Sequence, residues 1–195
     1  MKGIIIEGVA GTGKSTLLKK IRGCDFITDK KCVFISENET LGELFNELLS
    51  SRKSHSTYVK RLELVIDSIQ KEQADFVFLE RFHHSYYALG IEWNLLKPID
   101  DLLFRLGFKT ILLDLDDSDF ESRCLKRPDH SAENWENDFI RLYGSEEKAI
   151  VAFKDSQERR RRMLKLSQLP SRLINTGQRR WDEVLRKVIQ FSLVA

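Results

Sequence analysis

Five apolar runs punctuate the chain, and between them apolar residues recur at every third or fourth position. The first run, Ile4-Ile5-Ile6, is β-branched and unbroken, the pattern of a strand buried on both faces, and Leu17, Leu18 and Ile21 then repeat at helical spacing. Cys32-Val33-Phe34-Ile35-Ser36 predicts a second strand, Asp75 to Glu80 a third, Thr110 to Leu115 a fourth and Ser171 to Asn175 a short fifth. Thr40 with Glu43 reads as a capping box for a helix carrying Leu41, Leu44, Phe45, Leu48 and Leu49. After a Ser/His/Lys-rich connection at 50 to 56, Leu62, Val65, Ile66 and Ile69 mark a longer helix. Residues 85 to 106 read as two helical pieces broken near Pro98. Ser118 with Glu121 is placed to cap a helix after the fourth strand, and a charged helical segment covers about 136 to 168. Trp181, Val184, Leu185, Val188 and Ile189 give a closing amphipathic helix. Strands alternating with helices from end to end predict an α/β fold, with helices on both faces of a mostly parallel sheet. No repeat or linker divides the 195 residues, so one domain over 1–195 is expected. The polar connection at about 127–135, around Pro128, is expected to act as a mobile flap.

The turn after the first strand carries the chemistry. Gly8, Gly13, Lys14 and Ser15 fit the pattern GxxxxGK[ST], in which glycines let consecutive backbone N–H groups converge on an anion at a helix N-terminus. Strand, glycine-rich loop and helix all stand where the pattern needs them, so Gly8, Gly11, Thr12, Gly13, Lys14, Ser15 and Thr16 are the expected ATP-binding loop. The lysine would reach the β- and γ-phosphates, and the hydroxyl of Ser15 or Thr16 would ligate Mg²⁺. Two further carboxylates, Glu37 and Glu80, leave the second and third strands at the edge where ligands bind in open α/β sheets.

Composition narrows the rest. With 42 % hydrophobic and 32 % charged residues, and no apolar stretch long enough to span a bilayer, no membrane role is expected. The first strand begins directly after Met1 and Lys2, leaving no room for a leader, and Cys24, Cys32 and Cys124 form neither a CxxC pair nor a Cys/His cluster. A cytoplasmic location is the expectation. A net charge of +2 does not by itself argue for nucleic acid, and the run Arg159 to Arg162 is most simply a solvated helix face. His83 and His84 are adjacent, so at most one of them should face a site.

Several spaced motifs make the chain resemble the thymidylate kinase and deoxynucleoside kinase branch of P-loop kinases. Ile5-Ile6-Glu7-Gly8 through Gly13-Lys14-Ser15-Thr16 is similar to the opening of both families. Ser36-Glu37, Leu41-Gly42-Glu43 and Glu47-Leu48-Leu49 resemble the thymidylate kinase stretch of Arg-Glu-Pro, Leu-Gly-Glu and Glu-Leu-Leu. Glu80-Arg81-Phe82, with Ser85, Ala88 and Gly90, is similar to the family's Asp-Arg-Tyr motif and, in its first two residues, to the Glu-Arg-Ser of deoxynucleoside kinases. The resemblance covers most of the chain and implies the P-loop NTPase fold, with five parallel strands in the order 2-3-1-4-5. It also implies an ATP- and Mg²⁺-dependent phosphotransferase acting on a (deoxy)nucleoside monophosphate or a nucleoside. The expected partner is then a small molecule rather than nucleic acid, with a homodimer as the open question of assembly.

Site roles follow from the resemblance and from phosphoryl-transfer chemistry. Lys14 would hold the donor, Ser15 and Glu80 the metal ion, and Arg81 the acceptor phosphate, unless Arg81 is only a salt-bridge partner of Glu80 or Glu37. Arg61 falls where thymidylate kinases place an arginine of the monophosphate site, and Phe82 joins Glu37, Arg61 and Arg81 on the acceptor side. Glu37 would be a base for a sugar hydroxyl or a positioning group. No basic residue occupies Val9, Ala10, Gly11 or Thr12, so the catalytic arginine should come from the lid, as Arg127 or Arg123, Arg123 otherwise anchoring its helix. Arg141 and Tyr143 are further candidates beyond the lid. Ala10 stands where thymidylate kinases usually carry a carboxylate, while Ser36 and Asn38 replace their arginine and proline. The transfer machinery is thus expected intact beside an altered acceptor pocket.

Overall fold

Alternating side chains of the first strand decide the layering. In a computed structural model that describes residues 1–42, 55–126 and 135–193, β1 (Lys2–Glu7) occupies the centre of a five-stranded sheet. Its neighbours are β2 (Cys32–Ile35), β3 (Phe76–Glu80), β4 (Phe108–Asp114) and β5 (Ser171–Asn175), in the order 2-3-1-4-5 with every pairing parallel. The order and direction are those the family resemblance implies. Ile5, Val77, Leu79, Ile99 and Leu103 share the core on one face, while Ile4, Ile6, Phe78, Ile111 and Leu113 share that on the other. Both faces are dry, which is why the central strands read as continuous apolar runs.

The helices follow from the periodicities. α1 (Lys14–Arg22) buries Leu17, Leu18 and Ile21, and α3 (His55–Lys71), which follows the short α2 (Glu37–Thr40), buries Tyr58, Leu62, Ile66 and Ile69 on a single stripe. After β3 come α4 (His83–Ala88) and α5 (Trp93–Arg105), then α6 (Trp135–Tyr143), α7 (Glu146–Leu166) and α8 (Trp181–Leu193). Among the described residues no helix is long and apolar enough to cross a membrane.

Three local expectations need correction, and the Thr40–Glu43 capping box reaches beyond the described residues at Glu43. A capping box is present one turn earlier, at Ser36 and Glu39, with Ser36 N donating to Glu39 Oε2 at 2.8 Å, and Thr40 closes α2 and donates to Glu80 O at 2.8 Å. The helical break after β3 comes at Gly90 (φ +103°), and Pro98 sits just past the first turn of α5, where it forfeits only the bond to the Asn94 carbonyl. Ser118 lies inside a 3₁₀ turn, Asp117–Asp119, followed by one π-helical turn, Glu121–Leu125, so it caps no helix. The charged segment is two helices split at Gly144 (φ +88°), where Ser145 Oγ accepts from Lys148 N at 3.2 Å to start α7.

Candidate active site

At the C-terminal edge of the sheet a cleft of about 760 Å³ runs from the β1–α1 loop across to α7. The loop owes its shape to backbone that side chains would obstruct. Gly13 (φ +89°) precedes α1, and a Cβ there would stand 1.9 Å from the Trp181 ring; at Gly11 (φ +81°) it would stand 1.8 Å from the Arg123 carbonyl. Gly11, Gly13, Lys14, Ser15 and Thr16 line the cleft, while Gly8 and Thr12 lie beneath it, Thr12 fully buried with its hydroxyl donating to Val9 O at 2.9 Å. Those last two shape the loop from below.

Lys14 is only 5 % exposed, and its ammonium donates to the Val9 carbonyl at 3.2 Å. Burial lowers its pKa from 10.5 to about 7; Arg81 and Arg160 push the same way, and Glu37 and Glu80 push back. A lysine so placed lacks an anion. Beside it Ser15 Oγ donates to Glu80 Oε1 at 2.9 Å, an oxygen pair suited to a hard cation such as Mg²⁺.

The opposite wall is built on Glu7, the buried last residue of β1. Its Oε1 accepts from Phe82 N (2.8 Å) and Ser85 N (3.2 Å), and its Oε2 from Ser85 Oγ (2.7 Å). This clamp holds the turn from β3 into α4, where Arg81 adopts φ +59°, a conformation costing a non-glycine residue about 1–3 kcal/mol. Arg81 NH1 pairs with Glu37 Oε1 at 3.0 Å. Its buried Nε has no hydrogen-bond partner. Glu37 is held in turn by α2, whose Thr40 carbonyl accepts from Tyr86 OH at 2.9 Å.

The other sequence-based candidates divide. Arg123 is buried, donating to Thr176 O (3.1 Å), Gly177 O (3.3 Å) and Gly11 O (2.8 Å), so its guanidinium staples the loop before α8 to the glycine-rich turn, the anchoring arrangement. Arg127 and the flap residues 127–134 lie outside the described residues. Arg61 donates to Leu41 O at 3.1 Å, behind Leu41 and Gly42, which themselves line the cleft. Phe82 does not reach the acceptor side: its ring is fully buried in the core with Leu79 and Tyr86, and only its amide serves the site, through Glu7. Tyr143 lines the cleft, whereas Arg141 is an exposed partner of Asp138 at 3.1 Å.

Two readings of charged or polar runs are overturned. His83 and His84 do share a site, an internal one: both are fully buried, their ring centroids lie 4.3 Å apart, and His83 Nε2 meets Asp100 Oδ1 at 2.9 Å. Burial, His83 and Arg160 hold His84 well below its usual pKa, and neither of its ring nitrogens has a hydrogen-bond partner. Nor is Arg159 to Arg162 a solvated face. Arg160 is 3 % exposed, donates to Ser85 Oγ at 3.1 Å, and lies 3.5 Å from Glu7 Oε2, an ion pair rather than a hydrogen bond. Burial, then Arg81, lowers its pKa to about 10. Arg161 Nε donates to Asp114 Oδ1 at 3.0 Å, Arg159 lines the cleft, and Arg162 is exposed. Sequence reasoning therefore missed Glu7, Arg159 and Arg160. It also missed the aromatic wall of Phe139 and Phe153, whose rings stack 4.9 Å apart in the cleft. A signal existed for α7: Phe153, Gln157 and Arg160 fall on one helical stripe and are all buried.

No protein-family model and no curated protein matches the sequence. Solved structures do match. YorR from Bacillus subtilis, in complex with phosphorylated GDP, superposes with TM-score 0.63 at 19 % identity, over 97 % of this chain and 94 % of its own. Thymidylate kinase from Ehrlichia chaffeensis gives 0.52 at 18 % identity over 97 % of each chain, and shikimate kinase from Bacteroides thetaiotaomicron gives 0.61 at 16 % identity over 99 % of each. The chain has the fold of P-loop kinases.

Proposed function

We propose that this chain is an ATP- and Mg²⁺-dependent kinase that transfers the γ-phosphoryl group to a (deoxy)nucleoside monophosphate. One observation carries the reading: a single cleft holds a phosphate loop with a buried, anion-poor Lys14, an oxygen pair for a cation, and a clamped arginine–carboxylate pair opposite. Its fit to the donor rests on Lys14, whose buried ammonium a triphosphate would neutralise, and its fit to Mg²⁺ on Ser15 and Glu80. Mg²⁺ bound there supplies charge neutralisation on the donor phosphates. Lys14 and the loop amides bind and orient the donor; Arg81, fixed by the Glu7 clamp, orients the acceptor; Arg123 holds the donor loop closed against the loop before α8. The stacked Phe139 and Phe153 suit a planar base, and among the neighbours YorR holds a phosphorylated guanine nucleotide. We further place the protein in the cytoplasm as one kinase domain with residues 127–135 as its lid, a homodimer being the assembly to look for.

The experiment is a panel of nucleosides and nucleoside monophosphates with labelled ATP. Lys14→Ala should lower turnover by several orders of magnitude, and near-normal activity in that variant would sink the mechanism. A second reading, a nucleoside kinase with Glu37 as base, is favoured by the 40 % exposure of the Glu37 side chain inside the cleft. Phosphorylation of nucleosides in preference to their monophosphates, abolished in Glu37→Gln, would select it. The run Arg159 to Arg162 would be the contact of an ATP-binding regulatory or nucleic-acid-binding module, and the engagement of Arg160 and Arg161 within the fold weighs against that role.

A further inference from the structure

The cations of the cleft can be matched to the carboxylates that answer them. Glu80 is engaged by Ser15, Glu37 by Arg81, and Glu7 by the Phe82–Ser85 turn and Arg160. Arg123 is spent on the carbonyls of Thr176, Gly177 and Gly11, and Arg179 lines the cleft from the loop that sets Trp181 against Gly13, on the side of the glycine-rich turn; Lys14 and Arg159 each have a carbonyl contact. Lys14 belongs to the donor loop. Arg159 reaches across from α7 to the end of α4, where NH1 lies 3.4 Å from Ala88 O, a contact at the outer limit of a hydrogen bond. Asp155 also lines the cleft one turn earlier, yet the described residues show no ion pair between them.

Arg160 explains why Arg159 points there. Residues adjacent on a helix differ by about 100° in direction. Arg160 is locked inward by Ser85, Ser156 and Glu7, and this lock sets the rotation of α7 that turns its neighbour over the cleft beside Ala88 and Leu89. The same wall already carries Arg81, whose buried Nε–H and that of Arg160 both lack a hydrogen-bond partner. Arg81, Arg159 and Arg160 thus line one cleft, and the carboxylates of Glu37 and Glu7 are spent on Arg81 and Arg160.

We propose that Arg159 is a ligand for an anion on the acceptor, a phosphomonoester, at a subsite distinct from the donor loop, with Arg160 as its positioning residue. This inference rests on the kinase reading for its biological sense but not for its test. Arg159 gives up the Ala88 carbonyl for two charge-assisted bonds to phosphate oxygens.

The test compares Arg159→Gln with Arg162→Gln, an exposed neighbour losing the same charge. Binding of dGMP and TMP is measured by calorimetry with a non-hydrolysable ATP analogue present, against deoxyguanosine, thymidine and inorganic phosphate, and steady-state kinetics follow. Arg159→Gln should weaken monophosphate binding and raise the acceptor KM about ten- to a hundredfold, leaving the KM for ATP where Arg162→Gln has it. Nucleoside binding should be the same in both variants. Tight binding of inorganic phosphate alone, lost in Arg159→Gln, would place the anion there without an acceptor attached and overturn the assignment to a substrate group. Unchanged monophosphate binding in Arg159→Gln, or an equal rise in the KM for ATP, would also overturn it. If wild type binds monophosphates through Arg159 but transfers nothing to them, the kinase reading fails and the subsite stands.

Discussion

On the proposed reading, nucleotide binding at Lys14 should take up a proton. With a pKa of about 7 in the free protein, its amine is deprotonated in about half of the molecules at pH 7 and about nine-tenths at pH 8, and a bound triphosphate should return it to the ordinary range above 10. Nucleotide binding should therefore take up about 0.9 proton at pH 8 and about 0.1 at pH 6 from this group. Each unit of pH above 7 then costs binding about 1.4 kcal/mol, so affinity should fall about fiftyfold between pH 7 and pH 9. Calorimetric titration of a non-hydrolysable ATP analogue in buffers of differing ionisation enthalpy reads the uptake directly. Working at pH 7.5 and above keeps the nucleotide's own phosphates fully ionised. Lys14→Met should abolish the uptake and, by removing a buried cation that Glu37 and Glu80 offset only in part, stabilise the free protein to urea. Zero uptake at pH 8, or the same uptake in Lys14→Met, would refute the argument.

Three other outcomes are expected. His84 is held neutral in the fold but takes a proton near pH 6.5 when unfolded, so its contribution is fully present above about pH 6.5 and is lost as the pH falls below it, by up to about 1.4 kcal/mol per unit; urea midpoints between pH 7 and 5 should flatten in His84→Leu. Gly13→Ala meets both a positive φ and the Trp181 ring, and should cost at least about 1–3 kcal/mol in thermal unfolding and expose the indole, read by fluorescence. Glu7→Gln leaves Arg160 buried without its counter-charge and slackens the Arg81 turn; a loss of about 3–5 kcal/mol in urea unfolding is expected, with acceptor KM rising more than that for ATP.

The sheet was legible because each central strand is buried on both sides and can only be written in apolar residues; β1 and β3 differ from expectation by no more than two residues at an end. Helix starts were less legible, since Ser36–Glu39 and Thr40–Glu43 offer the same capping chemistry four residues apart, and sequence reasoning passed over the first, which starts α2. The glycine-rich loop announced itself because its shape depends on local backbone, written as glycines. The wall opposite did not, because it depends on tertiary placement. Four arginines in a row look alike until Glu7, Ser85 and Asp114, all distant in sequence, draw two of them inward. Phe82 failed for the complementary reason: a motif position carried its amide to the site while the ring went to the core.

Arg81 remains the residue with the most to lose. Its left-handed backbone would suit glycine better, so Arg81→Gly should be a more stable protein and a worse catalyst. Selection for heat resistance alone would drift toward that substitution. A library screened for folding would enrich a change that strips Glu37 of its guanidinium partner, so thermostability and acceptor turnover have to be scored in the same round.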